Sequence, residues 1–305
     1  MSSISERLFN NIFGREFSFS SDTISDVTEK TMGASYAKLK EEITACAAVM
    51  ETLPREELEV VSHDGLHLKG YLFRNDVPTD KTAICVHGYH STGFVDFASI
   101  GLEYLRRGFN LLLPINRACG ESEGEWTTFG IHERNDTTLW VDMVSKLFPG
   151  GEIVLHGCSM GGSTVCMMAD KELPGNVRAI VSDCAFSDIN EEFAHMLQLL
   201  AHLPRWPILN SIEKQFKKRI GVGFSEYYPL KSVKNARYPM FFVHGEDDSY
   251  VPPQNSEKLY AACPTDKRLL IIPGYGHAAA HLAGNSGYYG PIFEFLGRHM
   301  TLPNA

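Results

Sequence analysis

Positive charge is scarce in this chain: 28 lysines and arginines stand against 37 aspartates and glutamates, a formal net charge of −9. Proteins that bind nucleic acid or anionic membranes gain affinity by setting basic side chains against phosphates, so neither is expected as the main partner. Long apolar runs are also missing. Nothing approaches the roughly 20 consecutive apolar residues of a membrane helix, and no stable membrane insertion is expected. The opening stretch, MSSISERLFNNIFGREF, lacks a basic head followed by an apolar core, so no secretory leader is expected there. Cysteine forms no paired framework. The seven residues (Cys46, Cys85, Cys119, Cys158, Cys166, Cys184 and Cys263) are an odd, scattered set, several inside apolar runs such as ICVHG and IVSDCAF. That usage reads as reduced thiols in a cytoplasmic protein. No His/Cys/Asp cluster has metal-ligand spacing, and neither a phosphate-binding loop nor a dinucleotide fingerprint occurs. Neither metal nor cofactor is expected.

What is present suits a large globular domain. A chain of 305 residues can bury roughly 75% of its unfolded surface. Residues 1–55 read as a helical extension: Ile4, Leu8 and Ile12 recur every four residues beside Phe9 and Phe13, and a second stripe runs through Tyr36, Leu39, Ile43, Ala47, Met50 and Leu53. Both stripes are expected to bury against the main body. From residue 57 the texture changes. ELEVVSHDGLHLKGYLF alternates around Asp64-Gly65, the signature of two short antiparallel strands and a turn. The runs TAICVHG, NLLLPIN, EIVLHGCS, VRAIVSD, PMFFVHG and RLLIIPG then alternate with amphipathic helical stretches near 95–107, 131–147, 161–171 and 254–262, and with a last helix bearing Tyr289, Ile292, Phe293 and Leu296. Continuous apolar strands between helices mean a mostly parallel sheet covered on both faces, an α/β fold with its ligands at the strands' C-terminal ends. The rhythm breaks at about 186–236, where helical spacing (Phe193, Met196, Leu197, Leu200), LPRWP and the basic KQFKKR appear without a strand. A helical cap over the sheet's active edge is expected there.

The chemistry concentrates in three loops. Gly157-Cys158-Ser159-Met160-Gly161 lies directly after the strand EIVLH and before a helix, the context of a nucleophile elbow, in which a sharp turn lifts the serine clear of the sheet. Side chains at the two glycines would strike neighbouring backbone. A serine hydroxyl is a poor nucleophile without a base, and the base needs an orienting acid. The strand PMFFV ends in His244-Gly245-Glu246-Asp247-Asp248-Ser249-Tyr250-Val251-Pro252, and RLLIIP ends in Gly274-Tyr275-Gly276-His277. Asp247 competes with Asp248 for the acid, and the spacing to Val-Pro selects Asp248. His281 competes with His277 but lies further into its loop. Asp183, ending VRAIVSD, is a third candidate acid, read first as a loop-orienting group. Backbone N–H groups of Met160 and Tyr89 are the expected oxyanion donors, while His87 and His90 read as loop hydrogen-bonding residues.

HGYHSTG, NRACGESEG, GCSMGG, HGEDDSYVP and GYGH together resemble the α/β-hydrolase superfamily, specifically its bacterial esterase/lipase-like branch, which is similar to the catalytic domain of prolyl-oligopeptidase-type peptidases. The likeness covers residues from about 57 to the end, so residues 56–305 are expected to form the hydrolase domain. It implies Ser159 as nucleophile, Asp248 as acid, His277 as base and Tyr89 and Met160 as oxyanion donors. One segment departs from the family pattern: Ile115-Asn116-Arg117-Ala118-Cys119-Gly120-Glu121-Ser122 has Cys119 where a histidine is usual. The expected reaction is cleavage of a small or medium carboxylic ester through an acyl-enzyme. An amidase, peptidase or thioesterase on the same triad, and a non-catalytic small-molecule receptor, are the other readings. The oligomeric state is left open.

Overall fold

A computed structural model describes residues 4–15, 35–201 and 204–303. In chain order the elements are α1 (Ile4–Phe13), α2 (Tyr36–Thr52), β1 (Glu56–Val61), β2 (His67–Phe73), β3 (Lys81–Val86), α3 (Gly93–Asp96), α4 (Ala98–Arg106), β4 (Asn110–Pro114), α5 (Glu133–Leu147), β5 (Glu152–Cys158), α6 (Met160–Cys166), β6 (Val177–Asp183), α7 (Ile189–Ala201), α8 (Arg205–Ile220), α9 (Pro229–Val233), β7 (Met240–Gly245), α10 (Gln254–Ala262), β8 (Lys267–Ile272) and α11 (Gly290–Leu296). The eight strands form one sheet in the order β1-β2-β4-β3-β5-β6-β7-β8. β1 and β2 are antiparallel to their neighbours, and β3 to β8 run parallel. Asp64-Gly65 turns β1 into β2 with Gly65 at φ +87°, a left-handed conformation that costs glycine little.

Why the apolar runs make doubly covered strands is visible in their alternation. Ala83 and Cys85 of β3, with Phe241 and Val243 of β7, face the layer formed by α2, α4 and α11. Their neighbours Ile84, Val86, Met240 and Phe242 face the opposite layer, which holds Trp140 and Val144 of α5 and Leu259 of α10. Period-two side-chain geometry thus divides each run between two cores. β8 is an edge strand, and RLLII is mostly half-buried despite its apolar sequence. α6 is shorter than the helical pattern over 161–171 suggests. It ends at Cys166 and the chain continues in turns, as the i→i−4 bond of Met167 to Ser163 gives way to tighter i→i−3 bonds at Met168 and Ala169, all three residues buried in the core.

A third apolar cluster roofs the sheet's C-terminal edge. Phe9 and Phe13 of α1 bury with Phe129, Phe186, Phe193, Phe216 and Phe224. α1 lies against α8, and the Phe13 ring sits 4.9 Å from Phe216. Full burial of such a ring contributes roughly 1.5–3 kcal/mol. The face of α1 that buries most deeply is therefore Phe9/Phe13, with Leu8 and Ile12 half-buried beside it; the side chain of Ile4 lies outside the described residues. Between β6 and β7, which pair directly in the sheet, the chain leaves the sheet and its described residues form α7, α8 and α9 without a strand.

Candidate active site

β5 delivers Ser159 to the sheet edge at φ +56°, a conformation that costs a non-glycine residue roughly 1–3 kcal/mol and collects at functional turns. The glycines around it are steric necessities. A Cβ on Gly157 would stand 2.1 Å from the Gly161 carbonyl oxygen, one on Gly161 1.8 Å from that of Val86, and one on Gly162 2.6 Å from that of Asp183. The Ser159 N–H donates to the Asp183 carbonyl at 2.9 Å, tying the elbow to β6. Met160 opens α6, where first-turn N–H groups have no intrahelical carbonyl to bond.

The loops after β7 and β8 complete the arrangement. His277 Nε2 lies 2.9 Å from Ser159 Oγ, and His277 Nδ1 lies 2.7 Å from Asp248 Oδ2. Asp248 Oδ1 accepts the N–H groups of Tyr250 at 3.0 Å and Val251 at 2.9 Å. Burial opposes the charge on Asp248, but His277 and His244 outweigh it and hold the carboxyl down at about 2. Burial likewise pulls against the His277 imidazolium, and the Asp248 carboxylate more than reverses this, leaving its pKa well above the ordinary 6.5. The geometry sets Asp248 to fix the Nδ1–H tautomer, so that Nε2 presents a lone pair to the serine hydroxyl.

The competing candidates sit elsewhere. Asp247 is exposed and contributes only its N–H, to the Tyr275 carbonyl. His281 is buried 3.7 Å from Glu42. Asp183 accepts from the Tyr288 hydroxyl at 2.7 Å, and burial pushes its carboxyl up to about 6. His87 accepts the Asn116 N–H on Nε2 at 3.0 Å, so Nδ1 carries the proton and donates to the Gly88 carbonyl at 2.8 Å. It braces the loop of Tyr89 against the loop of Cys119. Gly88 N–H donates to Asp96 at 2.6 Å, and the Tyr89 hydroxyl donates to the Ile12 carbonyl at 2.5 Å, so α1 holds the side chain of one expected oxyanion residue. Arg117, buried, bridges Asp136 at 2.7 Å and Asp64 at 2.9 Å, while Cys119 is a free thiol buried in the same loop.

Four residues near the triad were given no role by the sequence. His244 Nε2 lies 2.8 Å from the Val251 carbonyl, which only accepts, so that nitrogen carries a proton; it also reaches Asp248 Oδ2 at 3.0 Å, while Nδ1 meets the Ser256 hydroxyl at 2.7 Å. The Tyr250 ring packs 5.0 Å from the His277 imidazole. Cys184 lies behind the triad, its sulfur 3.8 Å from that of Cys158, and Glu192 enters from α7. The motif HGEDDSYVP contained His244 and Tyr250, but no local spacing distinguishes them from loop residues. Cys184, Asp248 and His277 bring ligand-type atoms within 4.8 Å of one another, as do His63, Asp64 and Asp136. In each group the carboxylates already serve the imidazoles or Arg117.

Comparison with known proteins agrees with this architecture. Residues 83–207 match the family model described as alpha/beta hydrolase fold, and residues 228–281 match that described as serine aminopeptidase (family S33). Among curated proteins, the chain is 29% identical over 248 residues to the uncharacterized protein YqkD of Bacillus subtilis, covering 81% of this chain and 80% of that one. It is 24% identical over 228 residues to the uncharacterized YfhR of Escherichia coli K12, covering 74% of each. Among solved structures, an esterase of Pyrococcus furiosus, Pf2001, superposes with a TM-score of 0.64 at 24% identity, over 82% of this chain and 94% of that one. The acylaminoacyl peptidase of Pyrococcus horikoshii gives 0.63 at 15% identity, over 85% of this chain and 44% of that one. The chain is a member of the α/β-hydrolase superfamily.

Proposed function

We propose that the protein is a serine hydrolase that cleaves a carboxylic ester of small to medium size through an acyl-enzyme. The observation that carries this reading is the unbroken chain Ser159 Oγ, His277 Nε2, His277 Nδ1, Asp248 Oδ2, at 2.9 and 2.7 Å. His277 takes the hydroxyl proton as Ser159 attacks the ester carbonyl. The resulting oxyanion is met by the N–H groups of Met160 and Tyr89, and the imidazolium returns its proton to the departing alcohol. Water activated by the same histidine then releases the acid and regenerates the serine. The apolar roof, with Phe186 and Phe193 buried beside Met160, suits an acyl chain.

The test is a panel of p-nitrophenyl esters, thioesters and aminoacyl arylamides, run on the wild type and on Ser159→Ala, with fluorophosphonate labelling of the folded protein. The expected outcome is ester turnover and a labelled Ser159, both lost in the variant, with kcat down by at least ~10³. Equal turnover by the two proteins, or no adduct on Ser159, would overturn the reading, and turnover of arylamides alone would replace the ester by an amide.

A further inference from the structure

Beyond the triad itself, one wall of the space around Ser159 is largely apolar. Met160, Phe186, Ile189, Phe193 and Val251 bury together, with Tyr89 and Tyr250 against them. Glu192 stands in the same wall. On α7 it follows Ile189 by three positions and adjoins Phe193, so it shares the helix face that those two bury. It is 6% exposed, its Oε1 has no hydrogen-bond partner, and among the described residues no lysine or arginine pairs with it. Its charge is felt by His277, Asp248 and Tyr250, the side chains of the acid and base loops.

The placement is built rather than incidental. Asp188 Oδ1 accepts the N–H groups of Asn190 and Glu191 at the start of α7. His195 Nε2 donates to the Ser249 carbonyl at 2.8 Å, next to Asp248. Ser187 bonds Asn255 at 2.7 Å, and Lys258 reaches Glu191 at 2.6 Å. These contacts lock the helix onto the acid loop with Glu192 turned inward. A buried carboxyl with no partner is costly, and burial pushes this one from 4.5 up to about 8. A cation brought beside it would recover the missing interaction, and the aromatic walls would favour the same charge.

We propose that Glu192 is the recognition point for an amino group on the substrate, so that the site prefers acyl compounds bearing a primary ammonium near the scissile carbonyl. The proposal rests on Ser159 acting as the nucleophile. As the ammonium docks, Glu192 releases its proton to solvent and the two charges pair. An anionic acyl group gains no such pairing from Glu192.

Two amine placements are tested against matched neutral esters: leucine ethyl ester against its N-acetyl derivative, and ethyl 6-aminohexanoate against ethyl hexanoate and ethyl 6-hydroxyhexanoate. kcat/KM is measured for the wild type and Glu192→Gln, with Glu192→Met replacing the amide variant should it fail to fold. In the wild type the amine-bearing ester of at least one set is expected to be favoured roughly 10- to 100-fold, the range of a charge-assisted hydrogen bond. In the variant that ratio collapses towards one. Ratios near one in the wild type, an undiminished ratio in the variant, or a hydroxy ester equal to the amino ester would each overturn the proposal. Calorimetric titration of the same esters into Ser159→Ala, with and without Glu192→Gln, reads the binding ratio without turnover. Absence of ester hydrolysis by the wild type therefore counts against Ser159 as nucleophile, while the titration still decides Glu192.

Discussion

Replacing Asp248 by asparagine should disable the base through its tautomer. Asp248 Oδ1 faces two donors, the N–H groups of Tyr250 and Val251, so the amide oxygen of an asparagine is held on that side. Its NH2 group then falls where Oδ2 stood, 2.7 Å from His277 Nδ1 and 3.0 Å from the protonated Nε2 of His244. Two donors cannot share that contact, so His277 Nδ1 must become the acceptor and its proton moves to Nε2. The imidazole then points a proton, instead of a lone pair, at Ser159 Oγ. The expected loss is about 10³–10⁴ in kcat, or about 4 to 5.5 kcal/mol of transition-state stabilisation, with KM little changed. The assay is steady-state hydrolysis of p-nitrophenyl butyrate by Asp248→Asn, with Asp247→Asn as the control. The exposed Asp247 makes only a backbone contact, so its variant should stay within about twofold of the wild type, a surface change away from the chemistry. Asp248→Asn retaining more than a tenth of wild-type kcat, or Asp247→Asn losing as much, would refute the reasoning.

Three further outcomes follow from the same geometry. Because the Asp248 carboxylate raises the His277 pKa above 6.5 and the base must be neutral, activity should fall as pH drops, with the midpoint of the acidic limb above 6.5; a pH profile of kcat/KM with its midpoint at or below 6.5 contradicts this. Gly161→Ala would set a methyl group 1.8 Å from the Val86 carbonyl oxygen, so a loss of ~3 kcal/mol or more and a disturbed elbow are expected, checked by urea denaturation; unchanged stability would mean that the backbone relaxes freely. Arg117→Met strips the partner from buried Asp136, at a cost of about 3–5 kcal/mol, read by the same denaturation, and a loss below ~1 kcal/mol would show that Asp136 sheds its charge at little cost.

Much of the architecture was legible because it rests on short-range rules. Continuous apolar runs such as ICV and FFV state that both faces of a strand are covered, and Gly157, Gly161 and Gly162 mark a turn too tight for Cβ atoms. Legibility failed where contacts join distant segments. The helical pattern beyond Cys166 is apolar because it is core, and apolarity alone does not distinguish a helix from packed turns. On α1, sequence spacing presented Ile4, Leu8 and Ile12 as one stripe, whereas the aromatic cluster beneath selects Phe9 and Phe13 as the deepest contacts. The tie from Tyr89 to Ile12 spans 77 positions and leaves no local trace.

By itself the sequence determined the sheet with its helices on both faces, the strained serine turn, and the loops from which an acid and an imidazole could come, because backbone conformation and burial periodicity act over a few neighbouring residues. The spacing to Val-Pro had already selected Asp248 as the acid, but only the tertiary structure decided that it lies 2.7 Å from His277 with His244 and Ser256 behind it, and that Glu192 Oε1 is buried with no hydrogen-bond partner among the described residues. Those outcomes depend on where loops from non-adjacent stretches converge, and on the desolvation that the convergence imposes.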